Sequence, residues 1–153
     1  MRKDEMNNET EINVEKHVAY WRDEALESWK DVVHNIKGAR ISLALFSAHL
    51  TIEKALKAHV VKKTGKFPPM IHNLISLANI AGLRLTSQQV VLFSELNPLN
   101  IEARYPGIAS QRPTKKQTEL IVKRTKVALE WLIKKLRNQS ELIFEQLPRQ
   151  AFL

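Results

Sequence analysis

The sequence predicts an all-α fold, an up-and-down bundle of about five helices, with three long, one short and one kinked at Pro98. Apolar residues recur at steps of three and four in three long segments, which is the periodicity of helices that pack along a partner. Thr-x-x-Gln sequences begin at Thr86 and Thr114 and are typical of capping boxes at helix starts. No segment alternates convincingly between polar and apolar residues, so we expect no sheet.

The central element is predicted at residues 40–62, which contain no Gly or Pro and are rich in Ala, Leu and Lys, all good helix formers. A helix of this length spans roughly 35 Å. Its first half is apolar almost all round, which is typical of a helix inside a bundle. Its second half is expected to be a basic end that faces water, with Glu53 as the nearby acid and these lysines: Lys54, Lys57, Lys62 and Lys63.

Two shorter elements and two long helices are predicted around this centre. The first long helix runs from about Thr10 to Lys37, ends at Gly38, and packs its tryptophans against the central helix. A short helix covers residues 71–81, and the next begins after Thr86 and kinks or stops just before Pro98. Residues 105–113 are predicted as a loop. The last helix extends from residue 114 to about 138, or to 144, and is densely basic.

Length and composition indicate a single domain that is not stabilised by disulfide bonds. A chain of 153 residues can bury a sizeable core, and it contains no cysteine. We expect a frayed N-terminus at residues 1–10, one helical domain at 11–144 and a C-terminal tail at 145–153. The charged start lacks the apolar core of a signal peptide, and no apolar run suits a membrane span, so a cytoplasmic protein is expected. The net charge of +8 is compatible with nucleic acid, nucleotides or an acidic protein as partner.

Several short motifs occur in one order along the chain: WRDEA at residues 21–25, EKALKA at 53–58, HNL at 72–74, IEARYP at 101–106, and a closing basic helix. The ordered set spans about residues 18–137 and resembles the HEPN family, a nucleotide-binding helical domain of prokaryotes and higher eukaryotes. The resemblance implies a five-helix bundle and frequent homodimerisation. It also implies that prokaryotic relatives pair with small nucleotidyltransferases in toxin–antitoxin or stress modules.

The resemblance also raises the question of ribonuclease activity. Many HEPN proteins cleave RNA without metal, using an Arg followed by four to six residues and then a His. Here eight residues separate Arg40 from His49, and no His follows Arg104. Because this spacing is absent, a non-catalytic domain is favoured over an enzyme, and no catalytic residue is assigned.

The family-like motifs supply five candidates for binding a nucleotide or phosphate, which are Lys54, Lys57, His72, Arg104 and Tyr105. We expect them to gather cations, an imidazole and a phenol near one end of the bundle. The alternative is structural: His72 caps the short helix, while Arg104 and Tyr105 brace the segment after Pro98. No cofactor and no metal site are predicted, since Asp31 and His34 have no second copy of their spacing.

These observations lead to one functional hypothesis and two alternatives. The first is a non-catalytic domain that binds a nucleotide or RNA, or that acts as the partner of a nucleotidyltransferase-domain protein. The second is a metal-independent ribonuclease whose site differs from that of the family, with His72 and Arg104 converging. The third is a purely structural homodimerisation module, because a bundle seam and a dimer seam have the same period.

Overall fold

A computed structural model describes residues 12–100 and 113–137, and within these ranges the chain forms five α-helices and no strand. They are α1 (Val14–Lys37), α2 (Ile41–Thr64), α3 (Leu74–Ile80), α4 (Ser87–Leu96) and α5 (Lys115–Lys135). The predicted all-α bundle is confirmed. No helix in the described ranges is both long and apolar enough to cross a membrane. The predicted terminal segments 1–10 and 145–153, and nearly all of the loop predicted at 105–113, lie outside the described residues.

The two longest helices, α1 and α2, form an antiparallel hairpin. The side chain of Asn13 accepts a hydrogen bond of 3.1 Å from the backbone N–H of Lys16, so α1 begins at Val14 rather than near Thr10. Ala25, Trp29 and Val32 are buried against α2. The prediction that a tryptophan packs on the central helix is therefore confirmed for Trp29.

The central helix α2 contacts all four other helices, and most of its second half is more buried than predicted. The second half, expected to face water, is the more deeply buried: Glu53, Lys57 and His59 are all buried there, and only its last turn is exposed. In the first half, Leu43 remains 45% exposed. The prediction of a basic, solvated end is confirmed for the last turn, where Lys62 and Lys63 are exposed. It was wrong for Lys57, which is buried because it finds a partner in Glu53 within the bundle.

The helices α4 and α5 begin at the predicted side-chain caps. Both Thr-x-x-Gln sequences form capping boxes, with Thr86 and Thr114 accepting from the N–H groups of Gln89 and Gln117. These caps fix the first turn of each helix before its apolar face meets the core. One continuous hydrophobic cluster then includes buried residues from all five helices.

The α3 cap and the end of α4 meet beside α2. Asn73 caps α3 by accepting from the N–H of Ser76 at 3.0 Å, so the structural alternative in which His72 caps this helix was wrong. α4 stops at Leu96, before Pro98, as predicted. The Asn97 side chain that follows accepts a hydrogen bond of 2.9 Å from the N–H of Leu74, which fixes the start of α3 against the end of α4.

Candidate functional site

A buried carboxylate organises the junction between α2 and the start of α3. The Glu53 side chain is 4% exposed, and its Oε1 atom forms a short contact with Nδ1 of His72. Nζ of Lys57, one helical turn further along α2, lies 3.3 Å from the same oxygen. An i, i+4 spacing places these two side chains on one face of the helix. Glu53 therefore links α2 to the segment that precedes α3.

A second histidine fixes the backbone at this junction. His49 is fully buried, and its Nε2 donates a 3.0 Å hydrogen bond to the carbonyl oxygen of His72. Nδ1 of His49 lies 3.9 Å from Oε2 of Glu53. The backbone and the ring of His72 are thus both held by α2, yet the His72 side chain remains 49% exposed. This leaves a fixed imidazole that solvent can reach.

An aromatic side chain of α1 completes the arrangement, which we call the Glu53 cluster: His49, Glu53, Lys57, His72 and Trp21. Nζ of Lys57 lies over the Trp21 ring, 5.3 Å from its centroid. The Lys57 side chain is only 11% exposed. Its ammonium is therefore balanced by a carboxylate on one side and by a π face on the other, an arrangement that stabilises a buried cation.

The structure separates Lys54 from the Glu53 cluster. Its Nζ donates to Oγ of Ser28 at 2.9 Å and to Oε2 of Glu24 at 3.2 Å, both on α1. Lys54 therefore ties α2 to α1 and is already paired. Of the predicted binding residues, Lys57 and His72 are brought together. Arg104 and Tyr105 lie outside the described residues.

Exposed aromatic side chains lie on α1 and on the segment between α2 and α3. Tyr20 is 54% exposed and packs edge-on against Trp21, with ring centroids 5.4 Å apart. Phe67, in the segment between α2 and α3, is 57% exposed and meets the ring of His17 at 4.8 Å. His17 lies one turn before Tyr20 and Trp21 on α1, so these aromatic residues share one side of that helix.

Three members of the Glu53 cluster are not among the residues that the sequence predicts for the site, and they are His49, Glu53 and Trp21. For Glu53 a usable signal is present, because it is the sole acid of α2 and has a histidine four residues before it and a lysine four residues after it. Trp21 could not be assigned, since its spacing along α1 is also that of the core.

The second histidine of α2, His59, is structural. His59 is buried, and its Nε2 donates a 2.8 Å hydrogen bond to the carbonyl oxygen of Leu132 in α5. The pKa of His59 is lowered from its ordinary value of 6.5 to about 4, mainly by burial; the bond to Leu132 opposes the shift, and nearby Lys62 and Lys135 add to it. His59 is therefore neutral at pH 7 and joins α2 to α5.

The described residues include no group of three or more His, Asp or Glu side chains that could hold a metal ion. Around Glu53, the sites that a cation would take are occupied by the Lys57 ammonium and the His72 ring. The cluster is thus suited to hydrogen bonding through the imidazole of His72.

A family model described as HEPN domain matches residues 18–136, which is most of the chain. The chain belongs to the HEPN family. Comparisons with curated proteins and with solved structures give no significant match. HEPN domains are generally related to nucleotides or RNA, and they often dimerise. The matched range contains every residue of the Glu53 cluster, so this cluster lies within the HEPN domain.

Proposed function

We propose that this HEPN domain binds a nucleotide or a segment of RNA without cleaving it, at the surface around His72. The observation that carries the proposal is the ring of His72, which is half exposed while Glu53 holds its Nδ1 atom. Lys54 and Lys57 are more buried and already paired. His72 is therefore the predicted binding residue best placed to meet a ligand from solvent.

The surroundings of His72 suit a base and a phosphate. With Nδ1 engaged by Glu53, the other ring nitrogen of the imidazole can form a hydrogen bond to a phosphate oxygen or a base edge. The exposed rings of Tyr20 and Phe67 offer stacking surfaces, and stacking of one base on an aromatic ring contributes about 1–3 kcal/mol. Such a surface favours single-stranded RNA or a free nucleotide over a duplex.

The cellular role that we propose follows family behaviour. HEPN domains often dimerise, so we propose a homodimer. We further propose that the protein is cytoplasmic and acts with a small nucleotidyltransferase in a toxin–antitoxin or stress module. A co-expressed neighbouring nucleotidyltransferase that co-purifies with this chain would support that role.

Binding can be tested by fluorescence anisotropy with labelled single-stranded RNA, and by competition with ATP and GTP, at ~50 and ~200 mM salt. We expect His72→Ala and Tyr20→Ala each to weaken binding about tenfold, which corresponds to about 1.4 kcal/mol. His34→Ala is the matched control, because His34 is an exposed histidine in the last turn of α1. Absence of binding at both salt concentrations, or equal binding by all variants, would refute the proposal.

Ribonuclease activity is the second candidate function, and one observation favours it. A buried carboxylate that orients an imidazole, as Glu53 does for His72, is the usual arrangement of a histidine that acts as a general base. The candidate predicts cleavage of single-stranded RNA without metal, lost in His72→Ala and retained in His34→Ala. RNA that stays intact with the wild-type protein would leave binding as the function.

A further inference from the structure

A second surface lies between α4 and α5, away from the Glu53 cluster. The first two turns of α4 and the middle of α5 leave between them an open groove of about 650 Å³. We call it the α4–α5 groove, and its apolar lining is Val91, Leu92, Val127, Ala128 and Trp131. None of these residues belongs to the proposed nucleotide-binding surface, so an inference about the groove does not depend on it.

Two valines of this groove are exposed on helices that bury other apolar residues. Val127 on α5 is 67% exposed, and Val91 on α4 is 51% exposed. Both line the groove together with Leu92 and Ala128, which are buried. A contiguous exposed apolar surface beside polar residues is typical of a protein interaction site.

The rim of the groove on α5 is positively charged. Lys123 and Arg124 both line it and both are exposed. The whole of α5 carries seven Lys and Arg residues and only two Glu, which gives a formal charge of +5. Nζ of Lys135 lies over the ring of Trp131, 5.3 Å from its centroid, so the basic face continues past the apolar lining.

We propose that the α4–α5 groove binds an amphipathic helix of another protein that carries an acidic edge. An apolar helix face would cover Val91 and Val127, and carboxylates along one edge would reach Lys123 and Arg124. This is the helix-in-groove mode, in which apolar anchors at i, i+3/i+4 and i+7 provide affinity. Complementary charge steers the encounter and sets the orientation of the helix.

The charges argue against two other occupants of the groove. A second copy of this chain, with its net charge of +8, would place one basic α5 against another. RNA would leave Val91 and Val127 against a charged backbone, without an apolar partner. An acidic amphipathic helix provides an apolar face for the exposed valines and carboxylates for Lys123 and Arg124.

The test uses the full chain and a designed, fluorescein-labelled peptide of about 15 residues, a length at which isolated helices are marginally stable. Its Leu residues follow helical spacing on one face and Glu residues flank them. A scrambled peptide of the same composition serves as the ligand control. We expect Val127→Ser to weaken binding of the designed peptide at least about tenfold.

Val90→Ser is the matched protein control, because Val90 is 40% exposed beside Val91 but does not line the groove. It should bind within about twofold of wild type. The double variant Lys123→Glu with Arg124→Glu should lose the acidic peptide and gain a peptide in which Lys replaces each Glu. All these positions are exposed, so circular dichroism is expected to show unchanged helix content.

Four results would overturn the proposal. The first is equal binding of the designed and the scrambled peptide. The second is binding of the designed peptide by Val127→Ser that is as tight as binding by Val90→Ser. A dimer seen by light scattering that Val127→Ser dissociates would assign the groove to a second copy. RNA binding that is lost in Val127→Ser and displaces the peptide would assign it to RNA. If Val127→Ser still weakens peptide binding but no RNA binds at the surface around His72, only the proposed function is refuted and the groove proposal stands.

Discussion

At the scale of single residues, Glu53 is the group that connects the polar side chains of the candidate site. Its carboxylate accepts from the His72 ring and faces the ammonium of Lys57, and all three lie within one turn of α2 and the segment before α3. Removing one partner of a buried pair leaves the other charge without compensation, which is more destabilising than the pair itself is stabilising.

We therefore expect Glu53→Gln to lower the free energy of unfolding by about 3 kcal/mol, because Lys57 would stay 11% exposed without a counter-charge. Urea unfolding followed by circular dichroism measures the change. Glu27→Gln is the control: Glu27 lies 2.7 Å from Lys30, but both side chains are more than 60% exposed. That substitution should change stability by less than about 0.5 kcal/mol. Equal effects of the two substitutions would contradict a supporting role for Glu53.

His59 gives the fold a dependence on pH. Its pKa is about 4 in the folded protein because burial disfavours the charged form, and it is 6.5 in an unfolded chain. The unfolded state thus binds a proton first as the pH falls. His59 contributes its stabilisation above pH 6.5, and this is lost progressively between pH 6.5 and 4, amounting to roughly 3 kcal/mol.

His59→Gln should flatten the stability profile between pH 6.5 and 4, since an amide can still donate to the Leu132 carbonyl but does not titrate. Thermal unfolding at a series of pH values measures this. His34→Gln, at an exposed position on α1, should retain the wild-type slope. A His59→Gln profile as steep as that of wild type would assign the acid sensitivity to other groups.

Part of the candidate site was predictable at this scale. The motif at residues 53–58 and the HNL sequence supplied Lys57 and His72, and both side chains contact Oε1 of Glu53. The same motif suggested Lys54 as a third member. Lys54 and Lys57 both contact α1, but Lys54 pairs with Glu24 and Ser28 of that helix, whereas Lys57 pairs with Glu53 and lies over Trp21. Which partner each of two neighbouring lysines finds depends on packing that the sequence does not contain.

At the scale of helices, α2 shows why the burial of its second half was underestimated. Lys, Glu and His in the second half lower its hydropathy, yet each of Glu53, Lys57 and His59 finds a partner on α2 itself or on another element. Buried polar groups cost little when they are paired. Periodicity predicts that a helix lies in the core, but it does not show where neighbouring helices cover it.

The turn between α1 and α2 illustrates the same point for the backbone. Gly38 was predicted to end α1, and α1 does end at Lys37. The left-handed conformation, however, is adopted by Ala39, with φ of 57°, while Gly38 has φ of −82°. After α2, by contrast, Gly65 itself takes φ of 66°. Only the second glycine is required by its backbone conformation.

Ala39→Gly is therefore expected to stabilise the protein by roughly 0.5–1 kcal/mol, because it removes a side chain from a left-handed position. Gly65→Ala should destabilise it by about 1 kcal/mol. The space at Gly65 is open, since Cγ2 of Val14 lies 3.9 Å from the point that an alanine Cβ would occupy, so the effect is one of backbone conformation. Thermal unfolding compares both with the control Gly38→Ala, which should be near neutral. A destabilising Ala39→Gly would contradict this assignment.

At the scale of the whole molecule, the two candidate surfaces involve different helices and differ in charge. The Glu53 cluster lies where α1, α2 and the start of α3 meet, and its charges are largely balanced internally. An excess of positive charge lies on α5, beside the α4–α5 groove. A net charge of +8 was evident from composition, but the fold was required to show that Lys54 and Lys57 of α2 are paired while Lys123 and Arg124 of α5 border a groove.

One hydrophobic cluster joins all five helices, and α1 and α5 both pack against α2. We therefore expect the described bundle to unfold in a single cooperative step, as small domains usually do. Two single-tryptophan variants can report on it, one retaining Trp29 of α1 and one retaining Trp131 of α5, with the other tryptophans changed to Phe. Because α5 is anchored to α2 by the hydrogen bond of His59, both fluorescence transitions should coincide with the loss of helix in urea. A Trp131 transition that precedes that of Trp29 would show instead that α5 detaches first and that the α1–α2 hairpin is a separate folding unit.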